Sequence, residues 1–369
     1  MMFTGILCLS LLTVGSTSDL AKTLDELENS LGDYMLEEVA CNKSTWDIIT
    51  YLKLDQNKDQ FAMTRPAKNH LTPTKVYLDL ILYAILQVQE KEQKFNVYVW
   101  LDMIWKHYQI RWDPNQFCNI TSVAIPTKLL WQPDITIEER TEKSKDTESP
   151  FVHVNYNGWV LKRNNMVLVT TCVMKVYKFP FDTQSCSLTF KSIIFDEKQV
   201  KVVKYAEQNS TTALSKQIMH TQSDWIFINI TSNEMTEDNF EITQRMVTYT
   251  INMKRRYLLY MVNFLLPILM FLGLDLASFM MSDTCGEKLG FQVTVLLAVT
   301  VMQLILNEIL PSSSDRIPLI AIYCVGIFGL MMLSLLETIF VMYLIEKDSA
   351  NKDQSPAWAN TIEFIPQAF

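Results

Sequence analysis

Three apolar runs crowd the last third of this 369-residue chain, and they constrain its fold more than any other feature. Residues 257–281, 289–310 and 318–345 are each dominated by Leu, Ile, Val, Met and Phe. At about 1.5 Å per helical residue, each is long enough to cross a hydrocarbon core of about 30 Å. The turns between them, 282–288 and 311–317, leave no room for another domain. The middle run differs from its neighbours because it carries Thr294, Thr300, Gln303, Asn307 and Glu308. Polar groups are costly against lipid, so a span that keeps them is predicted to face protein or water.

The region ahead of the spans reads as a secreted, globular one. Residues 1–18 combine an apolar stretch, Gly5 to Val14, with the small residues Gly15, Ser16 and Ser18, the pattern of a signal peptide. Glycosylation sequons stand at Asn42, Asn119, Asn209 and Asn229, and none follows residue 257. Residues 19–256 are therefore predicted to be extracellular, and the polar tail 346–369 cytoplasmic. The run Lys254-Arg255-Arg256 would by itself favour the opposite orientation; the leader and the sequons outweigh it. Cys41, Cys118, Cys172 and Cys186 then lie in an oxidising compartment, where pairing is expected, with Cys41–Cys118 one candidate pair.

Within 19–256, a short helix is predicted at 24–39, and strands at 76–83, 95–100, 152–156, 166–176, 186–190, 225–230 and 247–253. They are β-branched and aromatic, separated by polar turns such as Gln89-Glu90-Lys91-Glu92, and they point to an antiparallel β-sandwich. The predicted architecture is thus an extracellular antiparallel β-sandwich followed by an all-α transmembrane bundle. The net charge of -8, with no extended Lys/Arg stripe, argues against a nucleic-acid partner. His70, His107, His153 and His220 fall in no metal-binding spacing, and no nucleophile or phosphate-loop motif occurs. Neither an enzyme nor a metal or other cofactor is predicted.

Along the middle span, Glu287, Gly290, Thr294, Leu297, Val301, Leu304 and Glu308 recur at three- and four-residue steps and so share one helix face. Carboxylates stand at both ends of that face, with an apolar middle between them. Packed polar glue would account for Thr and Gln, but not for Glu at both ends.

The most specific motif is Cys172-Val-Met-Lys-Val-Tyr-Lys-Phe-Pro-Phe-Asp-Thr-Gln-Ser-Cys186. It resembles the signature loop of the Cys-loop receptor family of pentameric ligand-gated ion channels. The resemblance runs from about Arg65 to Trp358. It includes Trp131-Gln-Pro-Asp134, Lys254-Arg-Arg256, Leu266-Pro267, Gly286-Glu-Lys288, Leu335-Leu-Glu-Thr-Ile339 and Pro356-Ala-Trp358, and it is greatest to the serotonin type 3 branch. It implies a Cys172–Cys186 disulfide, which on so short a loop would contribute about 3 kcal/mol. It also implies that Phe179, Pro180, Phe181 and Asp182, with Arg255, Arg256 and the 311–318 loop, couple the two regions during gating. In a pentamer the seven residues from Glu287 to Glu308 would become rings lining a pore, with Leu297 and Val301 able to dewet it. A Gly-Glu pair before the pore helix goes with cation selectivity in this family, implying Na⁺ and K⁺, with Ca²⁺ a further candidate.

The resemblance also exposes departures. The family's agonist site is an aromatic cage between subunits, and here its positions read Trp100, Trp131, Glu138, Ile193 and Phe240. Trp100 retains the family's aromatic, whereas Ile193 replaces a Trp and Glu138 stands where Asn is expected. Losing one cage ring removes about 0.5–2 kcal/mol from binding of a small amine such as serotonin. An accessory subunit in a hetero-oligomer of the plasma membrane, possible at postsynaptic sites, is the implied role. The fourth span of the family is missing from this sequence, so a truncated, non-conducting regulator of full-length subunits is the alternative implied.

Overall fold

The computed structural model describes residues 42–142, 148–206, 208–219, 224–239, 242–281, 287–309 and 316–351. The predicted leader, the helix expected at 24–39, Cys41, Phe240, Gly286 and residues 352–369 lie outside them. In chain order the elements begin with helices α1 (Thr45–Tyr51) and α2 (Lys58–Met63). Strands β1 (Thr74–Gln89), β2 (Lys94–Lys106), β3 (Ser122–Pro126), β4 (Ile135–Ile137) and β5 (Phe151–Asn155) follow. Next come β6 (Trp159–Thr171), β7 (Thr183–Ser192), β8 (Val200–Lys204), helix α3 (Gln208–Ile218), β9 (Trp225–Asn239) and β10 (Ile242–Arg255). The spans are α4 (Leu258–Ser278), α5 (Glu287–Ile309) and α6 (Leu319–Asn351).

Two compact units emerge from this chain. One takes residues up to Pro66 together with His107–Trp131 and Phe151–Val160. Its helix α1 opens with the Asp47 carboxylate accepting from the Ser44 backbone N–H at 2.6 Å, which satisfies a donor that the helix leaves open. Strands β3 and β5 pair antiparallel, and Val123, Ile125, Val152 and Val154 supply their buried faces. His107 is buried beside Phe61, with ring centroids 5.5 Å apart. Its backbone N–H donates to the Gly158 carbonyl at 2.7 Å. Only glycine fits there, because φ is +86° and a Cβ would lie 2.4 Å from the His107 carbonyl oxygen.

The second unit comprises Ala67–Lys106, Gln132–Pro150 and everything from Leu161 onward. It holds one sheet ordered β6-β2-β1-β8 and another ordered β4-β7-β10-β9. β1 with β2, β4 with β7, β7 with β10 and β9 with β10 pair antiparallel, whereas β1 and β8 run parallel from Thr74↔Val200. Leu78, Leu80 and Leu82 of β1 are buried, as are Leu188 and Phe190 of β7 and Tyr249 and Ile251 of β10. The Tyr249 hydroxyl donates to the Leu78 carbonyl at 2.8 Å and so joins the two sheets through their core. Burial raises the Tyr249 pKa and keeps the phenol neutral.

Several elements depart from the sequence reading. The strand expected to run to 176 ends at Thr171, and β3, β4 and β8 are too short to have stood out. Helix α3 was also unforeseen. Its Ser215 is fully buried and accepts from the Leu82 N–H at 3.1 Å, beside the register shift between Leu82 and Ala84. The helix thus completes a hydrogen bond at a β-bulge, where the ladder is locally broken.

Helices α4, α5 and α6 are the three helices among the described residues that are long and apolar enough to cross a membrane. A π-helical turn, Met261–Leu265, interrupts α4. Pro267 follows it; a proline offers no N–H to the carbonyl four residues back and disturbs the regular ladder. Helix α5 starts two residues before the apolar run, and α6 continues to Asn351, beyond the apolar boundary at 345. Ile268, Val295, Val299, Leu306, Ile320, Cys324, Ile327 and Met331 form the core of the bundle.

Candidate functional site: a buried arginine joint and a polar helix face

The loop between β6 and β7 is organised from within. Cys172 and Cys186 are disulfide-bonded with their Cα atoms 5.4 Å apart. Gln184 folds back across the loop: its Oε1 accepts from the Lys175 N–H at 2.9 Å, and its Nε2 donates to the Lys175 carbonyl at 3.0 Å and to Asp182 at 2.6 Å. The consequence is a fixed, inward-facing Asp182 carboxylate.

That carboxylate meets Arg255, three residues before α4. Arg255 is 1% exposed, and it donates to Asp182 through Nε at 2.8 Å and Nη2 at 3.1 Å. Glu90, from the turn after β1, takes Nη1 at 2.7 Å. The rings of Trp225, Phe179 and Tyr260 lie 4.2, 4.8 and 5.4 Å from the guanidinium carbon. Burial opposes the charge, but the bonds from Asp182 and Glu90 outweigh it and raise the Arg255 pKa above its ordinary value. A planar fork with five donors suits this double carboxylate environment in a way that lysine would not.

The same loop reaches the spans. Phe179 is buried among the bundle residues and meets Tyr260 edge-on at 5.2 Å, while Phe181 meets Tyr257 at 5.1 Å. Pro180 is buried between them. The Leu319 N–H at the start of α6 donates to the Tyr177 carbonyl at 2.9 Å. Arg256 is exposed, and its backbone N–H bonds the Asp224 carbonyl at 2.7 Å, so it stands outside this joint. Glu90 and Trp225 were not singled out in the sequence; Glu90 reads there as one charge of a polar turn.

On α5, Glu287, Gly290, Thr294, Leu297, Val301, Leu304 and Glu308 are all exposed, and they form one face. Val295, Val299 and Leu306 are buried on the other side. Leu297 and Leu304 are 63% and 65% exposed, high values for leucines in the middle of a helix that has a packed side. The Thr294 hydroxyl donates to the Gly290 carbonyl at 2.7 Å, which satisfies it within the helix. Lys288 turns inward and is buried, its ammonium 5.6 Å from the Phe279 ring centroid. The face therefore carries the negative charge of Glu287 without the adjacent positive one.

The remaining predicted site residues separate into two groups. Trp100 is half-buried on β2 and stacks on Tyr83 at 5.3 Å, with Tyr98 edge-on to Tyr83 at 5.1 Å. Two positions along, Asp102 receives a bidentate bond from Arg163 at 2.7 and 2.6 Å. On the other sheet, Ile193 is 65% exposed beside the exposed Ile194. Asp134 holds their backbone N–H groups at 3.0 and 2.8 Å and the Ser192 hydroxyl at 2.7 Å. Glu138 pairs with Lys191 at 2.9 Å, and Gln244 donates to the Ser192 carbonyl at 2.9 Å. Trp131, expected at the agonist interface, is buried, with its backbone N–H on the Phe61 carbonyl at 2.8 Å.

Of the sequons, Asn42, Asn119 and Asn209 are exposed. Asn229 lies within β9, and its side-chain oxygen accepts from Asn252 at 2.8 Å. Cys118 is disulfide-bonded; Cys41, its candidate partner, lies outside the described residues. Among the described residues no group of three His, Cys, Asp or Glu is placed to hold a metal.

These features coincide with a known family. The chain matches the neurotransmitter-gated ion-channel ligand binding domain over residues 52–257 and the neurotransmitter-gated ion-channel transmembrane region over residues 264–367; it belongs to the neurotransmitter-gated ion-channel family. It is 33% identical to the mouse 5-hydroxytryptamine receptor 3A over 296 residues, covering 80% of this chain and 60% of that protein. It is 28% identical to the human 5-hydroxytryptamine receptor 3E over 298 residues, 81% of this chain and 65% of that protein. Chicken neuronal acetylcholine receptor subunit alpha-4 is 29% identical over 311 residues, 82% of this chain and 49% of that protein. The chain thus spans less than two-thirds of the length of these relatives. It is a multi-pass membrane protein of a receptor family, not an enzyme.

Proposed function

We propose that this chain is a subunit of a pentameric, cation-selective channel opened by a small amine, and that it serves as an accessory subunit beside a serotonin-competent partner. The outward face of α5 carries this reading. Five copies of Glu287 and Glu308 would form two carboxylate rings that concentrate Na⁺, K⁺ and Ca²⁺, and the Leu297 and Val301 rings between them would close the path by dewetting. Agonist would bind between neighbouring subunits in the extracellular region, with the N-terminus outside. The Trp100 cluster supplies one aromatic half of such a site. At Ile193 and Glu138 the other half offers an aliphatic and an ion-paired group, with Ile193 where the family keeps a Trp, which is the reason for the accessory assignment. Asp182, Arg255 and the Phe179–Tyr260 contact would carry the motion to the spans.

The test is whole-cell recording with serotonin on cells expressing this chain, alone and with a competent serotonin type 3 subunit. We expect silence alone and altered conductance or kinetics in the mixture. A robust serotonin current from this chain alone would refute the accessory role, and suppressed current in the mixture would identify a non-conducting regulator. In conducting mixtures, Glu287→Gln should weaken cation preference, read as a shifted reversal potential under salt dilution.

A further inference from the structure

A second buried polar cluster lies near the other end of α4. Asp275, Ser278, Gln292 and Ser334, drawn from all three spans, are each 8% exposed or less. Their hydrogen bonds run in one direction. Gln292 Nε2 donates to Ser278 Oγ at 3.0 Å and to Ser334 Oγ at 3.1 Å. Ser278 Oγ donates to the Asp275 backbone carbonyl at 2.6 Å, and Ser334 Oγ to Asp275 Oδ1 at 3.3 Å. Both amide protons and both hydroxyl protons are thereby assigned, and every chain ends on Asp275.

Acceptors are left over. Gln292 Oε1 is buried with no hydrogen-bond partner among the described residues, and Asp275 receives one side-chain bond, a long one. Turning the Gln292 amide over would aim Oε1 at the two hydroxyls and move the amide nitrogen to the place Oε1 now holds, but it would bring no positive charge to Asp275. An unpaired carboxylate inside a bundle costs several kcal/mol, by order of magnitude, and such a group tends to neutralise. Lys288, one turn before Gln292 and also buried, lies over Phe279. Glu287 and Glu337, on the facing turns of α5 and α6, are exposed.

We propose that this cluster is a proton-binding site: Asp275 is carried as the neutral acid and donates toward Gln292 Oε1. One proton supplies the missing donor and removes the uncompensated charge, so α4, α5 and α6 are tied by an uncharged network. The ligand class is a proton taken from water. A bound water would also bring donors, but it would leave the carboxylate ionised, and a shift of Lys288 toward Asp275 would do the same.

The experiment is infrared spectroscopy of the full chain in lipid vesicles at neutral pH, with aspartate isotopically labelled at its side-chain carbon. The expected result is a protonated-carboxyl band that moves with the label, disappears in Asp275→Asn and shifts in Gln292→Leu, which removes the acceptor. Asp275→Asn, which keeps a donor at the same place, should retain the thermal midpoint of the wild type, while Asp275→Ala lowers it. Absence of the labelled band in the wild type would overturn the proposal. If Asp275→Asn does not accumulate, the Gln292→Leu shift decides: a band unmoved by that change belongs elsewhere and refutes the site. No channel current enters the measurement, so its outcome is independent of the proposed function.

Discussion

The two ends of α4 solve the same problem in opposite ways. Before its first turn, Arg255 is buried with two carboxylates and three aromatic rings around it, and its donors find acceptors. Near its last turn, Asp275 and Gln292 are buried among two serines with acceptors in excess. About 20 residues of helix, roughly 30 Å, separate them. At the first end, one cation serves two carboxylates, and removing it strands both. At the second, balance requires something the side chains do not carry. Buried polar groups therefore stabilise or demand according to donor count, and burial alone does not say which.

The largest effect is expected at the first end. Arg255→Leu leaves Asp182 and Glu90 buried without their cation and should cost about 3–5 kcal/mol. Thermal unfolding and surface yield would measure it, with the exposed neighbour as control: Arg256→Gln should stay within about 0.5 kcal/mol. A loss at Arg256 equal to that at Arg255 would erase the distinction between the buried arginine and the exposed one.

His107 sharpens the comparison, because it is a buried polar ring with no network around it. Its Nδ1 has no hydrogen-bond partner among the described residues, and burial lowers its pKa to about 4. The neutral form is favoured in the folded state, so the unfolded chain binds the proton more tightly. Stability is then full above about pH 6.5 and falls as the pH drops toward 4, by about 3 kcal/mol in total. Denaturant titrations across that window should show the slope, and His107→Gln should flatten it. A smaller effect is expected from Ser334→Ala at the second end, about 1–2 kcal/mol for the long bond to Asp275 and the one accepted from Gln292, read from thermal unfolding.

Much of the architecture was legible because it depends on local patterns. Apolar runs long enough to span, alternating strands and the cysteine spacing are properties of neighbouring residues, and each element type follows from them. The seven-residue face of α5 belongs here too, since helical geometry alone places residues three and four apart on one side. Helix α3 was not legible, because Thr211 and Ser215 make it amphipathic only once β1 offers them Asp79 and the Leu82 N–H. Trp131 shows the converse: it is a motif tryptophan whose burial its local sequence does not reveal.

The sequence by itself determined that this chain has a β-rich first region, three spans and a family resemblance strong enough to be matched over both regions. It also determined which side of α5 carries Glu287 and Glu308. Only the tertiary structure decided which of two adjacent arginines is buried, that Glu90 and Trp225 complete its surroundings, and that Lys288 turns away from Glu287. The physical reason is common to all three. Helix and strand periodicity are set by bonds between near neighbours, whereas burial, charge balance and hydrogen-bond count depend on groups distant in the chain that only folding brings together.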